Sequence, residues 1–170
     1  MIVLGVDPGT AVTGFGLIAV DKARIKPVGY GVIRTSSKDT GPARLVEIFS
    51  SLQSLLEEYQ PVRVAVEQLF YNKNVQSALA VGQARGVVLL AAARFGCEIF
   101  EYTPLQVKQS VVGYGRADKS QVQFMVGRML GLKEQPRPVD AADALAVAIC
   151  SVNSHPPGLQ VQRSVPGCKD

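Results

Sequence analysis

The chain has 170 residues, 47% of them hydrophobic and 19% charged, which fits a globular domain with one sizeable core and excludes a disordered or fibrous chain. Eighteen Lys and Arg against fourteen Asp and Glu leave a net charge of +4, a hint of a polyanionic partner. No apolar run is long enough to cross a bilayer, the start lacks a basic leader and a cleavage site, and three scattered cysteines with one histidine argue against a disulfide or zinc framework, so the expectation is a cytoplasmic protein with no membrane segment.

Residues 2 to 7 form an apolar run that predicts a strand ending on Asp7, and Pro8-Gly9-Thr10 predicts a turn. Strands follow over 13–20 and, weakened by Gly29 and Gly31, over about 25–35; the short links predict an antiparallel meander. Leu45, Ile48, Phe49, Leu52, Leu55, Leu56 and Tyr59 recur at steps of three and four, one stripe of an amphipathic helix stopped by Pro61. A β-branched run over 62–68 predicts a buried strand that carries Glu67 near its end. A long, mostly apolar helix is predicted from Val75 to near Gly96, then a fifth strand in "CEIFEY". Thr103-Pro104 has the pattern of an N-cap and first helical residue, opening a helix to about Val112. After the basic, Gly-containing loop "GYGRADKSQ" come helices over about 118–130 and from Pro138 onward. The order predicts an α/β fold, a mixed five-stranded sheet flanked by helices, with one domain over 1–152 and a poorly ordered tail over 153–170.

Four acids occupy apolar surroundings. Asp7 ends the first strand and Glu67 the fourth; Asp140 and Asp143 lie in "VDAADALAVAI", three residues apart and on one helix face. If the first and fourth strands are parallel neighbours, Asp7 and Glu67 emerge at the same sheet end, and a helix crossing that end brings the aspartates beside them. Converging carboxylates repel and lose solvation, a conflict that a divalent cation removes. Mg2+ suits a hard, oxygen-only set, and two such ions about 3.5–4 Å apart would suit phosphodiester cleavage. Each acid also has a structural alternative: an Asx turn for Asp7, a strand-end charge for Glu67, and the helix dipole for Asp140 and Asp143. Their joint placement at element ends favours the cluster.

"GVDPGTAVTGFG", "AVEQLFYNKNVQSALAVGQARG", "QVKQSVVGYGRADKSQVQ" and "DAADALAVAI" closely resemble, in the correct order over about residues 1–150, the RuvC Holliday junction resolvases of bacteria. The resemblance implies a ribonuclease H-like fold. It also implies a homodimer that resolves four-way DNA junctions in recombination and repair by paired symmetric nicks leaving 5′-phosphates. It makes Asp7, Glu67, Asp140 and Asp143 the catalytic, metal-binding acids, with Mg2+ (two per subunit) or Mn2+, and it implies partnership with the RuvA–RuvB branch-migration complex. Some members carry histidine at the position of Asp140; a histidine base there is excluded in this chain.

Between Gln68 and Arg137 nine basic residues face four acids, so the excess positive charge sits mid-chain, either as solvated helix faces or as a DNA surface. Phe70 and Tyr71, just after Glu67, either pack on the core or stack on junction bases. By resemblance Phe70 is a wedge at the crossover, Tyr71 and Lys73 touch DNA, and Lys108 and Lys119 contact phosphates, with Arg116 a plausible further contact. Two rival readings stand against this one. An actin-like ATPase or sugar kinase also starts with a strand and Asp-x-Gly, but its second loop would have to be "DTG" at 39–41, which no apolar strand carries. A non-catalytic junction-binding module would not need four acids.

Overall fold

Apolar residues fill β1 (Ile2–Asp7), and Pro8, which has no backbone N–H, follows its last residue. A computed structural model describes residues 1–22, 24–68 and 75–156. β1 pairs antiparallel with β2 (Val12–Asp21), which pairs antiparallel with β3 (Arg24–Arg34). On its other side β1 pairs parallel with β4 (Arg63–Glu67), and β4 pairs parallel with β5 (Glu98–Tyr102). The sheet order is β3-β2-β1-β4-β5, the mixed five-stranded sheet that the sequence predicts.

Side chains alternate across this sheet. Leu4, Val6, Val64 and Val66 form one core with α1 (Gly41–Tyr59) and α2 (Val75–Arg94). Ile48, Leu52 and Leu56 are the inward row of α1, at the spacing its sequence stripe announces. Val3 and Ala65 point the other way, into a core with α3 (Pro104–Val112), α4 (Lys119–Met129) and α5 (Val139–Ser154). Val6 is the register partner of Val66, so Asp7 and Glu67 come next on adjacent strands. By alternation both face the α5 side.

Local chemistry sets the helix starts. Thr103 and Gln106 make a reciprocal capping box on α3, and Asp118 and Gln121 make another on α4. Asp118 is therefore engaged with the first-turn backbone of α4. Asp39 lies in a bend and Thr40 caps α1, so "DTG" has no strand beneath it.

α5 is the central element of its layer, with Ala141, Ala142 and the run Ala144 to Ser151 buried. It comes this close because β1 and β2 carry glycines beneath it. A Cβ on Gly5 would stand 2.1 Å from the Ala144 carbonyl oxygen, and one on Gly14 would stand 2.1 Å from that of Asp140. The helix runs past the expected boundary at 152, to Ser154, and His155 follows as its C-cap; the reason is a set of contacts to the sheet that a proline-rich stretch does not announce. The rest of the predicted tail, 157–170, lies outside the described residues. Cys97 and Cys150 are free and buried, and among the described residues no helix is long and apolar enough to cross a membrane.

Candidate active site

The turn after Asp7 is held by side-chain hydroxyls. Thr13 Oγ1 donates to the Gly9 carbonyl at 2.7 Å, and Thr35 Oγ1 donates to the Thr10 carbonyl at 2.6 Å. Arg44 Nε donates to Thr35 Oγ1 at 2.8 Å, so α1 braces the same turn. None of these three residues stands out in the sequence. Hydroxyls near a turn are common, and the pairing of Thr10 with Thr35 exists only once β2 and β3 meet.

At this sheet end a cleft of about 330 Å³ is lined by Asp7, Glu67 and Asp143, by Lys108 and Lys119, and by Pro104, Val107 and Val122. Three of the four predicted acids thus share one opening. Asp140 lies one turn earlier on α5, outside the lining, with its backbone over Gly14, the register partner of Asp7. Its charge still raises the Asp7 pKa.

Burial pushes the Asp7 carboxyl up to about 6, and the charges of Asp143 and Asp140 push in the same direction. Glu67 is pushed further, to about 8, again chiefly by burial and then by Asp7 and Asp143. The two carboxyls also act on each other, their contact raising Glu67 and lowering Asp7. Lys119 relieves part of the conflict. Its Nζ donates to Asp143 Oδ2 at 3.0 Å, and its positive charge lowers the pKa of both Asp7 and Glu67. The contact with Asp143 raises the lysine's own pKa in return.

A cation-binding reading fits this chemistry. The cluster offers only carboxylate oxygens, the donors that hard divalent ions take. Its members hold like charge in a half-buried place, and the lysine paired with Asp143, Lys119, has a largely exposed side chain. Among the described residues no three His, Cys, Asp or Glu side chains already converge as a closed metal cage. The acids stand as neighbours around an opening, with Lys119 against Asp143.

The other predicted residues fall into three groups. Lys108 is half-buried in the cleft wall, and no acid pairs with it among the described residues. Arg116 is exposed in the loop between α3 and α4 and does not reach the cleft lining. Phe70, Tyr71 and Lys73 lie outside the described residues.

A mixed sheet in this order, with acids at the ends of its two central parallel strands and a pair on the helix that crosses the same end, defines a nuclease of the ribonuclease H-like class. The chain belongs to the RuvC family: the family model for crossover junction endodeoxyribonuclease RuvC matches residues 3–151. It is 56% identical over 155 residues to the crossover junction endodeoxyribonuclease RuvC of Syntrophomonas wolfei, a match that covers 91% of this chain and 90% of that relative. The Thermus thermophilus RuvC structure is similar with a TM-score of 0.84 and 38% identity, over 91% of this chain and 95% of that one. T. thermophilus RuvC in complex with Holliday junction substrate is similar with a TM-score of 0.83 and 36% identity, over 91% and 94%.

Proposed function

We infer that the protein is a Holliday junction resolvase, a structure-specific endodeoxyribonuclease of recombination and repair. The single observation that carries this is the grouping of Asp7, Glu67 and Asp143 in one cleft of a chain that belongs to the RuvC family. A module that only bound junctions would have no use for carboxylates held at such raised pKa values beside a polyanion.

In this reading Asp7, Glu67, Asp140 and Asp143 hold Mg2+, two ions per subunit, with Mn2+ able to replace it. When bound, the metal supplies Lewis-acid activation of water and charge neutralisation at the scissile phosphate. The chain's own residues do the rest. β1 and β4 fix two carboxylates rigidly at a sheet end, and α5 brings the other two across it. Lys119 would contact a DNA phosphate near the acids, and Lys108 a second phosphate from the cleft wall. Arg116 contacts phosphate further along an arm. Phe70 wedges the crossover, with Tyr71 and Lys73 against the adjacent DNA. The nuclease domain takes in all of α5 and its C-cap, His155.

Two like nicks leaving 5′-phosphates on a two-fold substrate require two sites at fixed spacing, hence a homodimer. Support comes from α2, where Leu79 is 67% and Leu90 is 54% exposed along a helix otherwise rich in small apolar residues. Partnership with the RuvA–RuvB complex is proposed on the same family ground.

The test is a synthetic four-way junction incubated with the protein and Mg2+, then again with EDTA. Paired nicks in Mg2+ and intact, bound junctions in EDTA are expected. Binding without nicks in either condition overturns the resolvase reading.

A further inference from the structure

Arg63 opens β4 and is 4% exposed, yet it lies at the opposite end of the strand from Glu67. Its Nη1 donates to the Ser151 carbonyl at 3.3 Å and the His155 carbonyl at 2.9 Å, acceptors at the C-terminal end of α5. Its guanidinium lies 4.7 Å from the centre of the Phe100 ring, and Glu98 stands 3.8 Å away. His155 is gripped in turn: its ring centre is 4.4 Å from that of Phe100, and its Nδ1 is 2.9 Å from the Tyr102 hydroxyl.

The helix it holds lies on a floor with little relief. Ala144 and Ala148 sit over Gly5, and the Asp140 backbone sits over Gly14. Packed helices resist sliding through the depth to which their side chains interlock, and alanine on glycine interlocks little. Leu145, over Gly16, locks the helix close to its acids, with Val147 and Ile149 buried further along. A slip of one residue moves a helical side chain by about 1.5 Å along the axis and about 100° around it, enough to turn a carboxylate out of the cluster.

We propose that Arg63 is a positioning residue: by gripping the C-terminal carbonyls of α5 it sets where Asp140 and Asp143 stand against Asp7 and Glu67. β4 thereby presents its own acid at one end and fixes the helix that brings the other two at its far end. The proposal rests on the reading of those four acids as cation ligands.

Direct Mn2+ binding, followed by electron paramagnetic resonance without DNA, tests it. Arg63→Met keeps the volume and removes the donors. Its Mn2+ affinity is expected to fall about tenfold or more, the scale seen when partners that orient metal ligands are removed. Junction binding in EDTA, measured well below the unfolding transition, should stay near wild type although loss of the buried donors lowers the unfolding temperature, and Arg63→Lys should recover part of the affinity. Wild-type Mn2+ affinity in folded Arg63→Met overturns the proposal. So does a loss that runs parallel in metal binding and EDTA junction binding without any rescue by lysine. Should Arg63→Met fail to fold, His155→Phe keeps the ring on Phe100 and removes the bond from Tyr102. A smaller drop in Mn2+ affinity is expected there, and none would overturn the proposal. A wild-type protein that binds Mn2+ but leaves junctions uncut overturns the resolvase reading instead, so the two failures are distinguishable.

Discussion

The two ends of β4 treat charge in opposite ways. At one end Arg63 is buried among carbonyls, an aromatic face and Glu98, partners that suit a cation. At the other, Glu67 is half-buried among Asp7 and Asp143, neighbours of its own sign. The same five-residue strand carries both, so burial alone does not separate a structural charge from a functional one. What separates them is whether the fold supplies the countercharge or leaves it to a ligand.

The largest break in that contrast is Asp7→Asn. It removes a charge from the crowded end, so junction cleavage in Mg2+ should drop on the order of 10³-fold. Folding stability without metal should rise, by about 1 kcal/mol, because a buried repulsion is gone. Gel assays of cleavage and urea midpoints measure the two effects, and unchanged cleavage would remove Asp7 from the site.

A smaller effect comes from pH. Asp7 and Glu67 have folded-state pKa values of about 6 and about 8, above their ordinary values. The metal-free folded state therefore keeps protons that the unfolded chain has released, and its stability falls as pH rises from about 4 to about 8. Metal binding must displace the Glu67 proton, so apparent Mg2+ affinity should rise about tenfold per pH unit between about 6 and 8 and then level off. Calorimetric titration across that range checks the slope. A flat profile would mean that Glu67 is not a ligand.

The smallest effect sharpens the contrast from the side of the cations. Lys108→Ala and Lys119→Ala should each weaken junction binding and reduce its salt dependence by about one phosphate contact. Only Lys119→Ala should also lower the metal-free unfolding temperature at pH 8, since only Lys119 is paired with Asp143. Equal behaviour of the two variants would erase the distinction between a cation that stands in for metal and one that serves DNA alone.

Much of this architecture is legible in the amino-acid sequence. Apolar runs ending on Asp7 and Glu67 are strands because nothing else buries them, and a period of two places both acids on one side. Thr103-Pro104 and the stripe from Leu45 to Tyr59 mark helices by local chemistry. What is not legible depends on partners without a sequence signature. Arg63 reads as an ordinary charge at a strand start, because its acceptors are backbone carbonyls at Ser151 and His155. His155 reads as part of a proline-rich tail for the same reason. The contact of Lys119 with Asp143 joins α4 to α5, so the lysine's sequence neighbours, Asp118 above all, suggest a different partner from the one it has. The glycines under α5 are signalled only faintly, by Gly14 and Gly16 two apart in the motif that begins with Gly5 and Asp7.

That glycine floor has a mechanical consequence. Between most helices and sheets lies a layer of flexible side chains, which yields when either side moves and damps small errors. Here the Asp140 carbonyl and the Gly14 backbone meet with no such layer between them. The contact is stiff, and a displacement of α5 reaches the sheet end undamped. One methyl group at residue 14, far too small to fill the cleft, would therefore act as a shim under the helix and move both aspartates at once.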